Sequence, residues 1–215
     1  RKGNVMNELE RLMKRYPQLV GCREAITETY QVLEESFRNG GKLLICGNGG
    51  SAADSDHIVG ELMKGFVKRR PVSAELAEAL KQADPERGAE LAKKLQGGLP
   101  AIALTNHAAL SSAFANDVDG MLSYAQQVNG YGKAGDVFLG ISTSGNAENV
   151  MYAAVTAKAK GMKVIGLTGK TGGKLAKIAD VAIIVPEQET YKIQELHLPI
   201  YHALCLMLED RFYAE

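Results

Sequence analysis

Short apolar runs that end abruptly in glycine or hydroxyl residues recur along this chain. Lys42–Cys46, Leu99–Leu104, Val137–Ile141, Lys163–Leu167 and Asp180–Val185 have strand length and are rich in Val, Ile and Leu. The segments between them are mostly long enough for crossover helices. Strands that alternate with helices predict a parallel sheet, and the handedness of such connections puts helices on both faces. The expected fold class is therefore α/β, a doubly wound five-stranded parallel sheet. Helical patterns at Asn4–Arg15 and Ala25–Arg38, broken around Pro17 and ended by Gly40-Gly41, precede it. A last helix from Thr190 to Phe212 carries Ile193, Leu196, Ile200, Leu204, Met207 and Leu208 at helical spacing. Pro199 lies inside that pattern and predicts a kink or a lost hydrogen bond. Apolar helices at both ends suit a homo-oligomer.

The stretch 71–98 breaks the rhythm, being charged and alanine-rich. Its helical patterns are Ser73–Gln82 and Pro85–Leu95, with Ser73 and Asp84 as caps and Pro85 at a first helical position. It reads as an inserted helical segment or flap in an otherwise single domain spanning 1–215. A chain of 215 residues is long enough to bury a full core. Its 25 Lys plus Arg balance 25 Asp plus Glu, and no basic stripe points to nucleic acid. No apolar run approaches the roughly 18 residues of a membrane span, and no signal-peptide pattern opens the chain. Cys22, Cys46 and Cys205 are widely spaced and unpaired in pattern, which predicts reduced, buried thiols in a cytoplasmic protein.

Candidate chemistry begins at 136–149. After Val137–Ile141 come Ser142, Thr143, Ser144 and Gly145, and then an alanine-rich helical pattern. Glycine lets backbone N–H groups converge, and a following helix points its positive end at the same place, so the loop suits a phosphate. Gly47-Asn-Gly-Gly-Ser51 and Thr168-Gly-Lys-Thr-Gly-Gly173 repeat the arrangement. In parallel sheets ligands bind outside the carboxyl ends of the strands, which is where all three loops fall. Two nucleotide motifs fail. Gly47–Ala52 fits the loose dinucleotide fingerprint, but the next strand ends Leu104-Thr105-Asn106 without the acid that would hold a ribose. Gly169-Lys170-Thr171 mimics the end of a P-loop, but Val164 stands where its first glycine belongs.

His57 and Glu61 are four apart on the helix after the first glycine loop and share one face, a spacing that suits a metal or acid–base work. Gln194, Glu195, His197 and His202 form a second polar cluster on the last helix. Gln194 and His202 are separated by about 80° and some 12 Å along the axis, so one metal would need both side chains extended. Glu195 and His197 point elsewhere, toward helix or subunit contacts.

Together, Cys46–Glu61, Ser142–Asn146, Leu167–Gly173 and Ile193–His197 resemble the sugar isomerase (SIS) domain family, whose sheet is flavodoxin-like. Within it the chain is most similar to the sedoheptulose-7-phosphate, or phosphoheptose, isomerases. The resemblance implies interconversion of a seven-carbon ketose phosphate with D-glycero-D-manno-heptose 7-phosphate through an enediol. It also implies a homotetramer with active sites at subunit interfaces. By position, Glu61 is the base between the two carbons and His202 the acid–base partner at the oxygens. His57, Glu61, Gln194 and His202 are the ligands of one zinc per subunit. Ser142, Thr143 and Ser144 hold the phosphate, and Asn48, Gly49, Ser51, Asn116, Asp117 and Gln194 contact the substrate.

The chain departs from the family pattern in three places. Ala147 replaces a common serine, Tyr191 replaces a common acid, and Lys64-Gly65-Phe66 lacks the usual arginine. Lys64, Arg69 and Arg70 are the candidates to replace it. The alternative reading is a non-catalytic SIS protein, either an assembly factor that binds the replication initiator or a sugar-phosphate-sensing regulator. The former can lack the last-helix histidine, and the latter needs neither Glu61 nor His202.

Overall fold

Apolar runs buried on both faces belong inside a parallel sheet, and all five expected strands are found there. The structure, a computed structural model, describes residues 2–213; residue 1 and residues 214–215 of the 1–215 unit lie outside the described residues. The strands are β1 Leu43–Cys46, β2 Ala101–Ala103, β3 Val137–Ile141, β4 Lys163–Thr168 and β5 Val181–Ile184. They pair parallel throughout in the order β2-β1-β3-β4-β5. Leu43 lies between Ala101 on one side and Val137 on the other, so the order reverses between β1 and β3. Period-two alternation along β1 and β3 builds two cores. Leu43, Ile45, Val137 and Leu139 face one, and Leu44, Cys46 and Phe138 face the other.

The first core is covered by four helices, α1 Lys2–Arg15, α2 Arg23–Arg38, α3 Gly50–Met63 and the last helix α10 Thr190–Phe212. A 3₁₀ turn, Pro17–Cys22, joins α1 to α2 where Pro17 predicts a break. The second core is covered by α7 Ser123–Tyr131, α8 Glu148–Ala159 and α9 Gly173–Ile178. The helix α6, Ala108–Phe114, follows β2 and runs into a π-helical turn, Ala115–Asp119. Pro199 does not end α10; the helix continues through it, without the bond its missing N–H would make to Glu195. The three cysteines are free and buried. No described helix is long and apolar enough to cross a membrane.

The 71–98 stretch forms an antiparallel helical hairpin, α4 Ala74–Ala83 and α5 Pro85–Lys94. The expected caps are in place: Leu76 N donates to Ser73 Oγ at 3.1 Å and Arg87 N to Asp84 Oδ1 at 2.8 Å. The hairpin closes at a Pro71–Gln96 bridge and a Gly97 N to Arg70 O bond of 2.7 Å.

Arg70 and Glu209 form an ion pair that is wholly inaccessible to solvent, with Nε 2.8 Å from Oε1. Glu209 also accepts from the backbone N–H groups of Phe66, Val67 and Lys68 at 2.8, 3.0 and 3.1 Å. Arg70 donates onward to the carbonyls of Leu62 at 2.7 Å and Glu61 at 3.1 Å, at the end of α3. Burial works to raise the Glu209 carboxyl, but the Val67 and Phe66 N–H groups and Arg70 outweigh it and hold the pKa below 4.5.

Arg70→Met leaves a buried carboxylate without its cation and should cost about 3–5 kcal/mol in urea unfolding. A depressed folded pKa stabilises above the unfolded value, and that stability disappears as pH falls through the folded value. Wild-type stability should therefore decline in acid below the ordinary carboxylate range. Loss of the guanidinium raises the Glu209 pKa, so the share of the acid decline that comes from Glu209 should shrink or reverse in Arg70→Met, and the stability gap between the two proteins should narrow as pH falls. Equal stability and equal acid profiles in the two proteins would refute this role for the pair.

Candidate active site at the carboxyl edge of the sheet

The β3–α8 loop at 142–147 and the β4–α9 loop at 169–173 are locked backbone to backbone. Gly169 N donates to Thr143 O, Leu175 N to Gly145 O, and Lys174 N to Asn146 Oδ1 at 3.0, 2.9 and 3.0 Å. Gly145 has φ +71°, and a Cβ there would lie 1.9 Å from the Gly172 carbonyl oxygen. Ser142 Oγ accepts from Ala147 N at 3.4 Å and Ser144 Oγ from Asn146 N at 3.2 Å. A hydroxyl that accepts through a lone pair still has its proton to donate. Both are thus oriented by the backbone and retain a donor for an anion at the start of α8, where the dipole favours negative charge.

Across the switch between β1 and β3, the first glycine loop meets α8. Asn48 and Asn149 exchange reciprocal amide bonds of 2.9 and 2.8 Å, and Tyr124 OH donates to Gly47 O at 2.7 Å. Gly49, at φ +58°, turns the chain into α3, with Ser51 buried beneath Gly47. Gln194 of α10 lies over Gly50, where a Cβ would come within 2.7 Å of its Nε2.

Two turns further along, α3 and α10 bring three of the expected residues together. His57 Nε2 is 3.5 Å from Glu61 Oε1 and 3.5 Å from His202 Nε2. The Phe66 ring packs beside His202 with centroids 5.5 Å apart. Glu61 is largely covered, and its Oε2 is buried with no hydrogen-bond partner. Burial, then the neighbouring His57, holds His202 below the ordinary histidine value against the pull of Glu61. On the other side of the His57 ring, Nδ1 is 3.1 Å from Tyr201 OH, which donates to Asp54 Oδ1 at 2.7 Å. Burial, then Asp54, raises the Tyr201 phenol above its usual value.

The other sequence candidates are placed elsewhere. Asn116 and Asp117 are exposed on the π-helical turn and bonded to each other at 2.8 Å. Buried His197 meets the Thr168 carbonyl at 3.0 Å, a contact between α10 and β4, and burial lowers its pKa to about 4. Gln194 is near the start of α3 and not beside His202, as their separation along α10 requires.

Two imidazoles and a carboxylate are donors of the kind zinc takes, and the unpartnered Glu61 Oε2 is an atom a cation would satisfy. The 3.5 Å separations are near the roughly 3.3 Å between neighbouring ligands of a tetrahedral zinc. Among the described residues, no group of three or more His, Cys, Asp or Glu side chains is already drawn into a metal-holding arrangement. The donors fit in kind, with side-chain movement needed to close the set.

The SIS domain family profile matches residues 7–96 and 85–169. The phosphoheptose isomerase of Rhodospirillum rubrum is 38% identical over 189 residues, 88% of this chain and 87% of the relative. That of Nitratiruptor sp. is 40% identical over 178 residues, 83% of this chain and 81% of the relative. The chain belongs to the phosphoheptose isomerase family of SIS domains. The solved phosphoheptose isomerase of Neisseria gonorrhoeae superposes with a TM-score of 0.71 at 33% identity, covering 95% of this chain and 94% of that one.

Within Lys64-Gly65-Phe66, where the resemblance leads one to expect an arginine, Gly65 has no room for a side chain. A Cβ at Gly65 would meet the Lys68 carbonyl at 2.5 Å, and Gly65 N donates to Gln96 Oε1 at 2.6 Å, at the base of the hairpin. Arg70 is no replacement, because it is buried against Glu209. Arg69 is exposed, Lys64 bonds the Gly65 carbonyl, and Tyr191 lies exposed on the first turn of α10. Asp54, Asn149 and Tyr201 had no role in the sequence reading. Asp54 is three residues before His57, and Tyr201 next to His202, which is the one signal that marks them.

Gly145→Ala should destabilise the fold by at least the roughly 1–3 kcal/mol of left-handed strain, with the clash at Gly172 adding to it. Urea unfolding measures this, and a loss under 0.5 kcal/mol would show that the two loops are not locked as described.

Proposed function

We propose that the chain is an aldose–ketose isomerase that interconverts sedoheptulose 7-phosphate and D-glycero-D-manno-heptose 7-phosphate. The observation that carries this reading is the convergence of Glu61 and His202 from two helices about His57. The interlocked hydroxyl loop supplies an anion anchor at the same sheet edge. In the ketose-to-aldose direction, Glu61 removes a proton from C1 and returns it to C2. His202, which burial and then His57 hold below the ordinary histidine value, gives a proton to the C2 oxygen and accepts one from the C1 hydroxyl. The enediol lies between the two transfers. Asn48, Gly49 and Ser51 line the path from the anchor, with Asn149 holding Asn48 in place.

When bound, a zinc held by His57, Glu61 and His202, with Gln194 joining only if its side chain moves from over Gly50, would polarise the substrate carbonyl. The regulator and assembly-factor readings are not favoured, since neither needs Glu61 and His202 together. The proposed assembly is a homotetramer with sites at subunit interfaces. Met63, Val67 and Leu198, apolar and exposed around the end of α3 and on α10, support a further copy covering this edge.

Glu61→Gln and His202→Ala should each lower turnover of sedoheptulose 7-phosphate by roughly 10²–10⁴-fold while retaining sugar-phosphate binding. Turnover by the wild type should fall on chelation and return with zinc. Equal rates in all three proteins would overturn the proton-transfer roles, and indifference to the chelator would overturn the zinc proposal. Sedimentation equilibrium should give a mass about four times 23.1 kDa; a monomer would refute the assembly.

A further inference from the structure

Behind His57, on the side away from Glu61, α3 and α10 place two groups that the proton transfers leave unused. Tyr201 is 2% exposed, and its hydroxyl donates to Asp54 Oδ1 at 2.7 Å while standing 3.1 Å from His57 Nδ1. The His57 and Tyr201 rings meet edge to face, with centroids 5.5 Å apart and planes at 79°. A phenol has one proton, and an ionised carboxylate can only accept. The Tyr201 proton is therefore committed to Asp54, leaving the phenol oxygen only lone pairs to offer His57. A short contact between that oxygen and Nδ1 is then favourable only if Nδ1 carries the imidazole proton.

We infer that Asp54 and Tyr201 are a positioning pair that fixes His57 as its Nδ1–H tautomer, with the Nε2 lone pair directed into the site. Nε2 is the atom that faces Glu61 Oε1 and His202 Nε2, each at 3.5 Å. A bare Nε2 there accepts a hydrogen from a substrate hydroxyl, or ligates a cation, and cannot donate. In the free site it can also accept from the facing His202 Nε2, which then carries the His202 proton; a substrate hydroxyl that takes the His57 lone pair would free that proton. The polarity runs in one direction, from His202 through His57 and Tyr201 to the Asp54 carboxylate. A hydrogen bond at the ring nitrogen turned away from the chemistry is what orients functional histidines generally, and here a tyrosine is interposed between ring and carboxylate.

The geometry stands without the isomerase reading, and only the consequence for rate rests on it. The test is a long-range ¹H–¹⁵N correlation spectrum of histidine-labelled, chelator-treated protein at pH about 8.5, above the ordinary histidine range. His57, assigned by its absence in His57→Gln, should show a protonated Nδ1 and a bare Nε2. Tyr201→Phe and Asp54→Asn should each lose that preference and lower kcat for sedoheptulose 7-phosphate by roughly tenfold or more, with KM within about twofold. A wild-type His57 protonated at Nε2 would overturn the inference, whatever the variants do. So would a Tyr201→Phe protein that keeps the Nδ1–H pattern and full kcat. The expected tautomers in a protein that turns over no ketose phosphate would support the pair and refute the isomerase.

Discussion

The buried Arg70–Glu209 pair joins the two helices that carry the proposed acid and base. A helix end leaves its last carbonyls unsatisfied, and at the end of α3 Arg70 takes up those of Glu61 and Leu62. The carboxylate that holds the guanidinium is on α10 seven residues beyond His202. The same arginine thus ties the backbone of the proposed base to the helix of the proposed acid. Its own carbonyl closes the root of the inserted hairpin. Isolated surface ion pairs contribute little, but here both charges are desolvated, and three backbone N–H groups and the carbonyls of Leu62 and Glu61 are bonded to them. The loop from Phe66 to Arg70 has its shape because Glu209 collects three of its N–H groups.

With that end fixed, the other end is set by the sheet. Reversal of strand order between β1 and β3 opens a gap at the carboxyl edge. Asn48 and Asn149 bridge it, and the Gly145–Gly173 contact makes the two anion loops a single rigid rim.

Much of this is legible in the sequence because it is local. Strand β3 and helix α10 have the expected bounds, and the hairpin caps are where Ser73 and Asp84 place them. Strand β2 is shorter than Leu99–Leu104 because only Ala101–Ala103 pair in register with β1 at the sheet edge. α3 begins at Gly50, two residues before the first alanine, because Gly49 makes the turn that a loop reading extends to Ser51. What escapes the sequence joins distant segments. Arg70 and Glu209 are 139 residues apart, and Tyr201 and Asp54 are 147. No spacing rule links them, and each looks ordinary where it stands: a basic residue in a basic run, or a tyrosine on an apolar helix.

The same distinction separates what family membership settles from what this chain adds. Family membership rests on motifs that are each contiguous in sequence, whereas the polar atoms that hold the helices carrying them in place come from distant segments. Gly65 lies in the stretch where the family resemblance leads one to expect an arginine, and Lys68 and Gln96 crowd that position from the hairpin side. An arginine there would have to displace the loop that Glu209 holds, at the expense of the α3 end that carries Glu61. The base of the hairpin, the tight loop at Gly65 and the end of α3 are therefore one connected unit, and the buried ion pair is what couples them.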